Sequence, residues 1–404
     1  MEVSIQFMED PKERISPSVS TAELERRWKA SREVMREDKI DYLVMRNDEE
    51  FLGGYVRWFS DFPARHSYPI TVIFPVDDEM TTIVCGNLPP SDYYPPKWAA
   101  RGIKRRLGAP YFASMHYTDT LDAELAVEVL KEKKGATIGL LRRSSIPITF
   151  YEYLCKHLPG HKFVDATDRF DYIKAVKSPE EIEFIKKTAL LQDEAIEHLR
   201  TFIRPGRKDF EIYTEAQYAT SMRGSTRQLI LVGSNARGVV VRWQVRHLQN
   251  RVIREGDQVN VLIETNGPGG FYTEIGRVFS LGKPAQALVD AMGTAIEAQN
   301  LSLSLLKPGA DPREIWDANN EFLQKRGYLP ERRLYAHGQG YDLVERPAIR
   351  YDETMKIQAG MNLTVHPWAI NDSAWSVVTD NYLVTKTGMS ECLHKTQKEV
   401  IVIE

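Results

Sequence analysis

The chain has 404 residues, 42% of them hydrophobic and 27% charged, with a formal net charge of −3. This length outgrows one ordinary hydrophobic core and predicts two domains. So small a net charge leaves no electrostatic footprint for nucleic acid or an anionic membrane, and no segment approaches the ~18 consecutive apolar residues that span a bilayer.

The opening stretch "MEVSIQFMEDPKERISPS" is acidic and lacks the apolar core of a secretory signal, so the expected location is the cytoplasm. Cys85, Cys155 and Cys392 match neither zinc-ligand nor disulfide spacing, which fits a reducing compartment. "TAELERRWKASREVMRED" is an amphipathic helix that Ser20 or Thr21 can cap. "DYLVMR", "YPITVIFP" and "MTTIVCG" read as strands, "TLDAELAVEVLKEK" as a helix, "ATIGLL" as a strand and "TFYEYLCKHL" as a helix. Strands separated by helical patterns predict an α/β domain with a partly parallel sheet, over residues 1–171.

A junction follows in "DATDRFDYIKAVKSPEE". Ser178, Pro179, Glu180 and Glu181 form a capping-box signature with proline at the first helical position, opening a long helix. Beyond it the order becomes two helices, paired strands, two helices and strands again, which predicts an α+β domain over 172–404. "RPGRKDFEI" (204–212) and "KPGADPREI" (307–315) share Pro-Gly and a following Glu-Ile at an offset of 103, the trace of a duplicated unit.

The polar residues that need explaining lie on the later strands. "GDQVNVLIETN" ends near Glu264, "GPGG" turns the chain, and "FYTEIGRVFSLG" returns with Glu274. Two paired strands can bring two carboxylates to one site. "YAHGQGYDLVERP" carries His337, Tyr341 and Glu345; "GMNLTVHPWA" ends on His366; "WSVVTDNYLV" carries Thr379. Any one of these alone reads as a solvated charge or a hydrogen-bonded structural histidine. Their recurrence beside glycine turns points to a shared site.

These segments together resemble the creatinase, aminopeptidase P, prolidase and methionine aminopeptidase family, and "IKAVKSPEEIEFIKKTA" resembles that family's linker helix. The resemblance implies the pita-bread fold, an α+β catalytic domain of pseudo-twofold symmetry behind a smaller α/β N-terminal domain. It also implies a homodimer in which the N-terminal domain contributes to the partner's site. The family's metallopeptidases hold two metal ions with Asp, Asp, His, Glu and Glu. On this chain the second Asp position carries Glu274, the His position His337, the first Glu position His366 and the last Glu position Thr379. The first Asp position lies near Glu264, in a hairpin one residue longer than usual. Four carboxylates offer about −4 to two dications, whereas Glu264 and Glu274 offer about −2, so a dinuclear peptidase is not expected.

The expected activity is therefore hydrolysis of a C–N bond in a small polar substrate, metal-independent as in creatinase or ectoine hydrolase. The resemblance puts His247, in "VRHLQNRVI", at creatinase's general acid/base. Creatinase's guanidino-binding glutamates fall on His366 and Gly276, so creatine itself is not expected. His247, Glu264, Glu274, His337 and His366 form the expected catalytic set, and Tyr341, Glu345 and Thr379 the expected substrate contacts. No cofactor is favoured. One divalent ion, if bound, falls to Glu274, His337 and His366, which gives a mononuclear hydrolase or lyase as the alternative. A non-catalytic binding module is a third reading, opposed by the surplus of titratable residues. In "GYVRWFSDFPARHSYP" (54–69), Arg57, Trp58, Arg65 and His66 are candidates for substrate contacts across the dimer or for an aromatic edge in its interface.

Overall fold

The computed structural model describes residues 17–86 and 99–404 apart from 48, 50 and 53. The chain divides into two compact units between Lys174 and Ala175, with Pro17 belonging to the second.

The first unit contains α1 (Thr21–Glu37), β1 (Tyr42–Asn47), α2 (Gly54–Ser60), β2 (Ile70–Pro75), β3 (Met80–Cys85), β4 (Ile103–Ala109), α3 (Leu121–Leu130), β5 (Thr137–Leu140), α4 (Ile148–His157), β6 (Lys162–Asp165) and α5 (Thr167–Ala175). Ser20 caps α1, its side chain accepting from the Glu23 N–H. The six strands form one sheet in the order β4-β3-β2-β1-β5-β6. β1, β5 and β6 run parallel to one another, β3 and β4 likewise, while β2 is antiparallel to both neighbours. β4 and β6 are strands that sequence patterning misses; β4 shows why. Its "IKRRLGA" carries three basic residues, tolerable because an edge strand leaves long side chains a route to water.

The second unit opens with α6 (Pro179–Phe202) and its Ser178–Glu181 capping box, then α7 (Asp209–Ser221). Next come β7 (Gln228–Asn235), β8 (Gln258–Asn266), β9 (Tyr272–Leu281), α8 (Gln286–Leu305) and α9 (Pro312–Lys325). β10 (Ala336–Gly338), β11 (Glu345–Ala348), β12 (Asn362–Val365), β13 (Trp368–Ile370), β14 (Trp375–Val377), β15 (Asp380–Val384), β16 (Met389–Cys392) and β17 (Val400–Ile403) complete it. Two sheets result, β17-β9-β8-β7 and β11-β10-β12-β15-β16, with β13 and β14 as a separate hairpin. Apolar residues of α6 and α7, among them Ile196, Leu199 and Ile212, pack on Val232, Val261, Ile263 and Ile275 of the first sheet. Ile315 and Trp316 of α9 share a core with Leu363, Val365 and Tyr382 of the second.

The duplication visible in the sequence is physical. The Pro-Gly turn between α6 and α7 places Gly206 at φ +91°, and that between α8 and α9 places Gly309 at φ +88°. The Gly206 N–H donates to Ile253 O and the Gly309 N–H to Ile357 O, each at 2.8 Å. Each turn is thus tied by an equivalent bond to the segment that leads into a strand of its own half, β8 or β12, in a conformation that favours glycine. Among the described residues, no helix is long and apolar enough to cross a membrane.

Candidate active site

The site is assembled where the two sheets of the second unit meet. Gly276 of β9 forms an isolated antiparallel bridge with Thr379, just before β15. A Cβ built at Gly276 would lie 2.7 Å from Thr379 Oγ1, so this close approach requires glycine.

β8 and β9 pair in continuous register with Glu264 directly opposite Glu274. Both are buried. Glu264 Oε1 accepts from Gln339 Nε2 at 2.6 Å, and Gln339 Oε1 accepts from Asn381 Nδ2 at 2.8 Å. Asn381 Oδ1 in turn accepts from the Glu274 backbone N–H at 2.8 Å. This amide chain fixes the hairpin against the second sheet and presents one carboxylate oxygen with a donor. His337 lies on β10, and His366 follows β12, its N–H donating to Tyr335 O at 2.7 Å. The two imidazoles are 5.3 Å apart by ring centroid. His337 Nδ1 lies 2.9 Å from Gly338 O, which makes it the N–H bearer and leaves Nε2, 3.9 Å from Glu274 Oε2, as the electron-pair donor.

Burial decides the protonation of all four groups. Desolvation and the facing Glu274 hold the Glu264 carboxyl well above its usual range. Desolvation pushes Glu274 up to about 8. It pushes His337 down to about 4, and takes His366 well below its ordinary value. The linkage has a definite sign. Between pH 4.5 and about 8 the folded Glu274 carboxyl keeps a proton that the unfolded chain has lost, so stability falls as pH rises. Below ~6.5 the lowered histidines act in the opposite sense, because the unfolded chain takes up their protons first. Calorimetry of metal-stripped protein should therefore show Tm falling from pH 6.5 toward 8; a flat or rising Tm there would mean that Glu274 is ionised in the fold.

Donor atoms of Glu274, His337 and His366 all lie within 4.8 Å of one another. Two neutral imidazoles and the Glu274 carboxylate suit a single divalent ion. Two ions do not fit: Thr379 brings no charge, and its buried hydroxyl lacks a hydrogen-bond partner among the described residues. A second trio, Asp380, Cys392 and His394, is equally close, but Arg277 binds Asp380 at 2.7 Å and Lys398 Nζ lies 3.9 Å from it. That carboxylate is already neutralised by cations.

Other expected site residues are placed differently. His247 is exposed on a single 3-10 turn, Arg246–Leu248, outside the Glu274–His337–His366 cluster. Glu345 is committed to structure: Oε2 binds Lys177 Nζ at 2.7 Å in a buried ion pair, and Oε1 accepts from the N–H groups of Tyr341 and Asp342. The Tyr341 ring stacks on Phe271 at 4.3 Å. In the first unit Trp58 is buried on α2, its ring 5.0 Å from Phe59 and covered by the Arg27 guanidinium. Arg57 lies on the same helix, the Arg65 guanidinium lies over the Tyr68 ring, and His66 is exposed. Gln339 and Asn381 escape sequence reasoning because a neutral amide carries no signature until its carboxylate partner is known.

Known proteins share this arrangement of chain. The model of metallopeptidase family M24 matches residues 183–386. The Xaa-Pro dipeptidase of Pyrococcus horikoshii is 26% identical over 267 residues, 64% of this chain and 73% of that protein. The probable dipeptidase PepE of Mycobacterium bovis is 26% identical over 279 residues, 67% of this chain and 71% of that one. The crystal structure of dipeptidase PepE from Mycobacterium ulcerans superposes with a TM-score of 0.75 at 21% identity, covering 96% of this chain and 99% of that one. With a family model matched across half its length and a pita-bread catalytic unit behind an α/β domain, the chain belongs to metallopeptidase family M24.

Proposed function

We propose that this protein is a hydrolase that cleaves a C–N bond in a small polar substrate, using at most one divalent ion held by Glu274, His337 and His366. The observation that carries this reading is the convergence of those three buried donors beside Glu264. It moves the balance from metal-free hydrolysis, favoured by sequence, toward a single ion, because the donors lie within one coordination sphere and both imidazoles are held neutral. Such an ion supplies positive charge to polarise the scissile carbonyl.

The chain's own groups do the rest. Gln339 occupies Oε1 of Glu264, so proton exchange falls to the other carboxyl oxygen. Burial keeps that carboxyl protonated near neutrality, fit to protonate the leaving nitrogen and to take a proton from attacking water in return. The Thr379 hydroxyl is available to donate to a substrate oxygen. The amide chain through Gln339 and Asn381 holds these groups in position without moving protons itself.

Elemental analysis should find one divalent ion per chain and not two. Xaa-Pro dipeptides should show no appreciable turnover with added Mn²⁺, since the charge of a paired-metal site is not matched here. Two ions per chain, with brisk dipeptide cleavage, would overturn the reading. Turnover that survives complete chelation would return it to acid/base chemistry on the Glu264–Glu274 pair alone.

We read the enzyme as a cytoplasmic homodimer; its three cysteines are unpaired, as a reducing compartment requires. Light scattering should give twice the chain mass, and a fully active monomer would remove Arg57, Trp58 and Arg65 from consideration as contacts to a partner's substrate.

A further inference from the structure

The sheet face that carries Glu264 and Glu274 continues past them to an unsatisfied amide. Asn260 stands four residues before Glu264 on β8, and so on the same face, about 13 Å away by strand rise. It is fully buried, and neither Oδ1 nor Nδ2 has a hydrogen-bond partner among the described residues. Leaving both ends of a buried carboxamide unmet is costly, and native folds rarely do so without a reason.

Tryptophans close in on this amide from both neighbouring strands. Gly233 faces Asn260 on β7, and a Cβ built there would collide with Arg242 O and lie 3.1 Å from Trp243 Cα. The chain at Trp243 is thus pressed onto the sheet beside Asn260, and the Gln244 N–H pins it by donating to Val232 O at 3.1 Å. Val278 faces Asn260 on β9 and shares a core with Ala369 and Ala374 of the β13–β14 hairpin. That hairpin brings Trp375, whose ring meets Trp243 edge-on at 4.7 Å. The Nε1–H groups of Trp243 and Trp375 are buried and lack an acceptor among the described residues. Trp243 is only half-buried, which leaves this end of the face a route to solvent.

The unmet groups specify their ligand. Asn260 offers one acceptor and one donor side by side, the two indoles offer a donor each, and none of the three carries charge. Their complement is an uncharged planar group with adjacent N–H and C=O. Its N–H meets Oδ1, its carbonyl takes Nδ2–H and an indole N–H, and its plane lies against an indole. A carboxylate would set an oxygen against Oδ1, and an ammonium would set its protons against the indole N–H groups. Resting on the hydrolase reading for the bond that is cut, we infer that Asn260, Trp243 and Trp375 form a second anchoring point for the substrate. It takes a primary amide, lactam or urea group remote from the scissile bond. The three residues bind and take no part in proton transfer.

The test is titration of the full-length protein with 2-pyridone, which has that edge, and with N-methyl-2-pyridone, whose N–H is blocked, followed by ligand NMR. Wild type should bind 2-pyridone at least about tenfold more tightly. Asn260→Leu keeps the bulk, removes both unmet atoms and should erase the preference. Trp375→Phe keeps a ring, loses only the N–H and should weaken 2-pyridone at least about threefold, which decides the matter if the leucine variant does not fold. Glu264→Gln should keep the preference whole. An intact preference in a protein that hydrolyses no amide would sink the hydrolase reading and leave this site standing. Equal binding of the two probes by wild type, a preference that survives Asn260→Leu, or unchanged 2-pyridone binding in Trp375→Phe overturns the inference. Binding of neither probe also overturns it, and assigns the amide to trapped water.

Discussion

Glu264→Gln is expected to lower kcat by ~10²–10⁴-fold, the usual worth of a positioned acid/base. It should also make the metal-stripped protein more stable at pH 8. Both effects come from one arrangement. Glu264 faces Glu274 across a buried strand pair, so ionising both sets like charges against each other in a medium that solvates neither. A glutamine preserves the shape and still accepts from Gln339. It carries no charge, so the penalty that grows with pH disappears. Kinetics and thermal unfolding on the same variant decide the matter. A large loss of turnover with a raised Tm is the expected pair of results; near-normal kcat would remove Glu264 from the chemistry.

Asp380→Ala is expected to destabilise the protein by ~3–5 kcal/mol, read from the shift in its urea transition. Arg277 and Asp380 form a buried ion pair at 2.7 Å, with both side chains essentially without solvent. Arg277 also donates to the backbone oxygens of Gly276, Thr379, Thr396 and Gln397. Its charge cannot leave with the carboxylate, because the guanidinium is pinned to four carbonyls. Removing Asp380 therefore strands a cation in the interior. Since those carbonyls include both partners of the Gly276–Thr379 bridge, the site should loosen with the fold. A cost below ~1 kcal/mol would mean that water reaches Arg277.

The fold was largely legible because its signals are local and repeated. Ser178 and Glu181 announce α6, alternation announces β8 and β9, and two Pro-Gly turns announce the duplication. The residues that converge in the buried cluster were legible as titratable groups, since Glu264, Glu274, His337 and His366 each stand near a strand end or turn. What stayed hidden depends on three-dimensional placement. Glu345 has the look of a site carboxylate until Lys177, 168 residues earlier in the chain, is seen to bind it. His247 sits in a promising motif yet is turned toward solvent.

That Lys177–Glu345 pair also governs where the chain can be cut. Val176 bridges to Met361, the Lys177 N–H donates to Gly360 O, and Lys177 Nζ reaches the carboxylate that folds the Tyr341–Asp342 turn. Gly340 lies against the same carboxylate, with a built Cβ 2.6 Å from Oε1. The few residues ahead of α6 are therefore fastened to the turn that follows β10 and to the start of β12. A shortened chain that begins at Ala175 keeps this fastening. One that begins at Pro179 leaves Glu345 buried beside an empty socket, and the strands that carry His337 and His366 lose the anchor that sets their spacing.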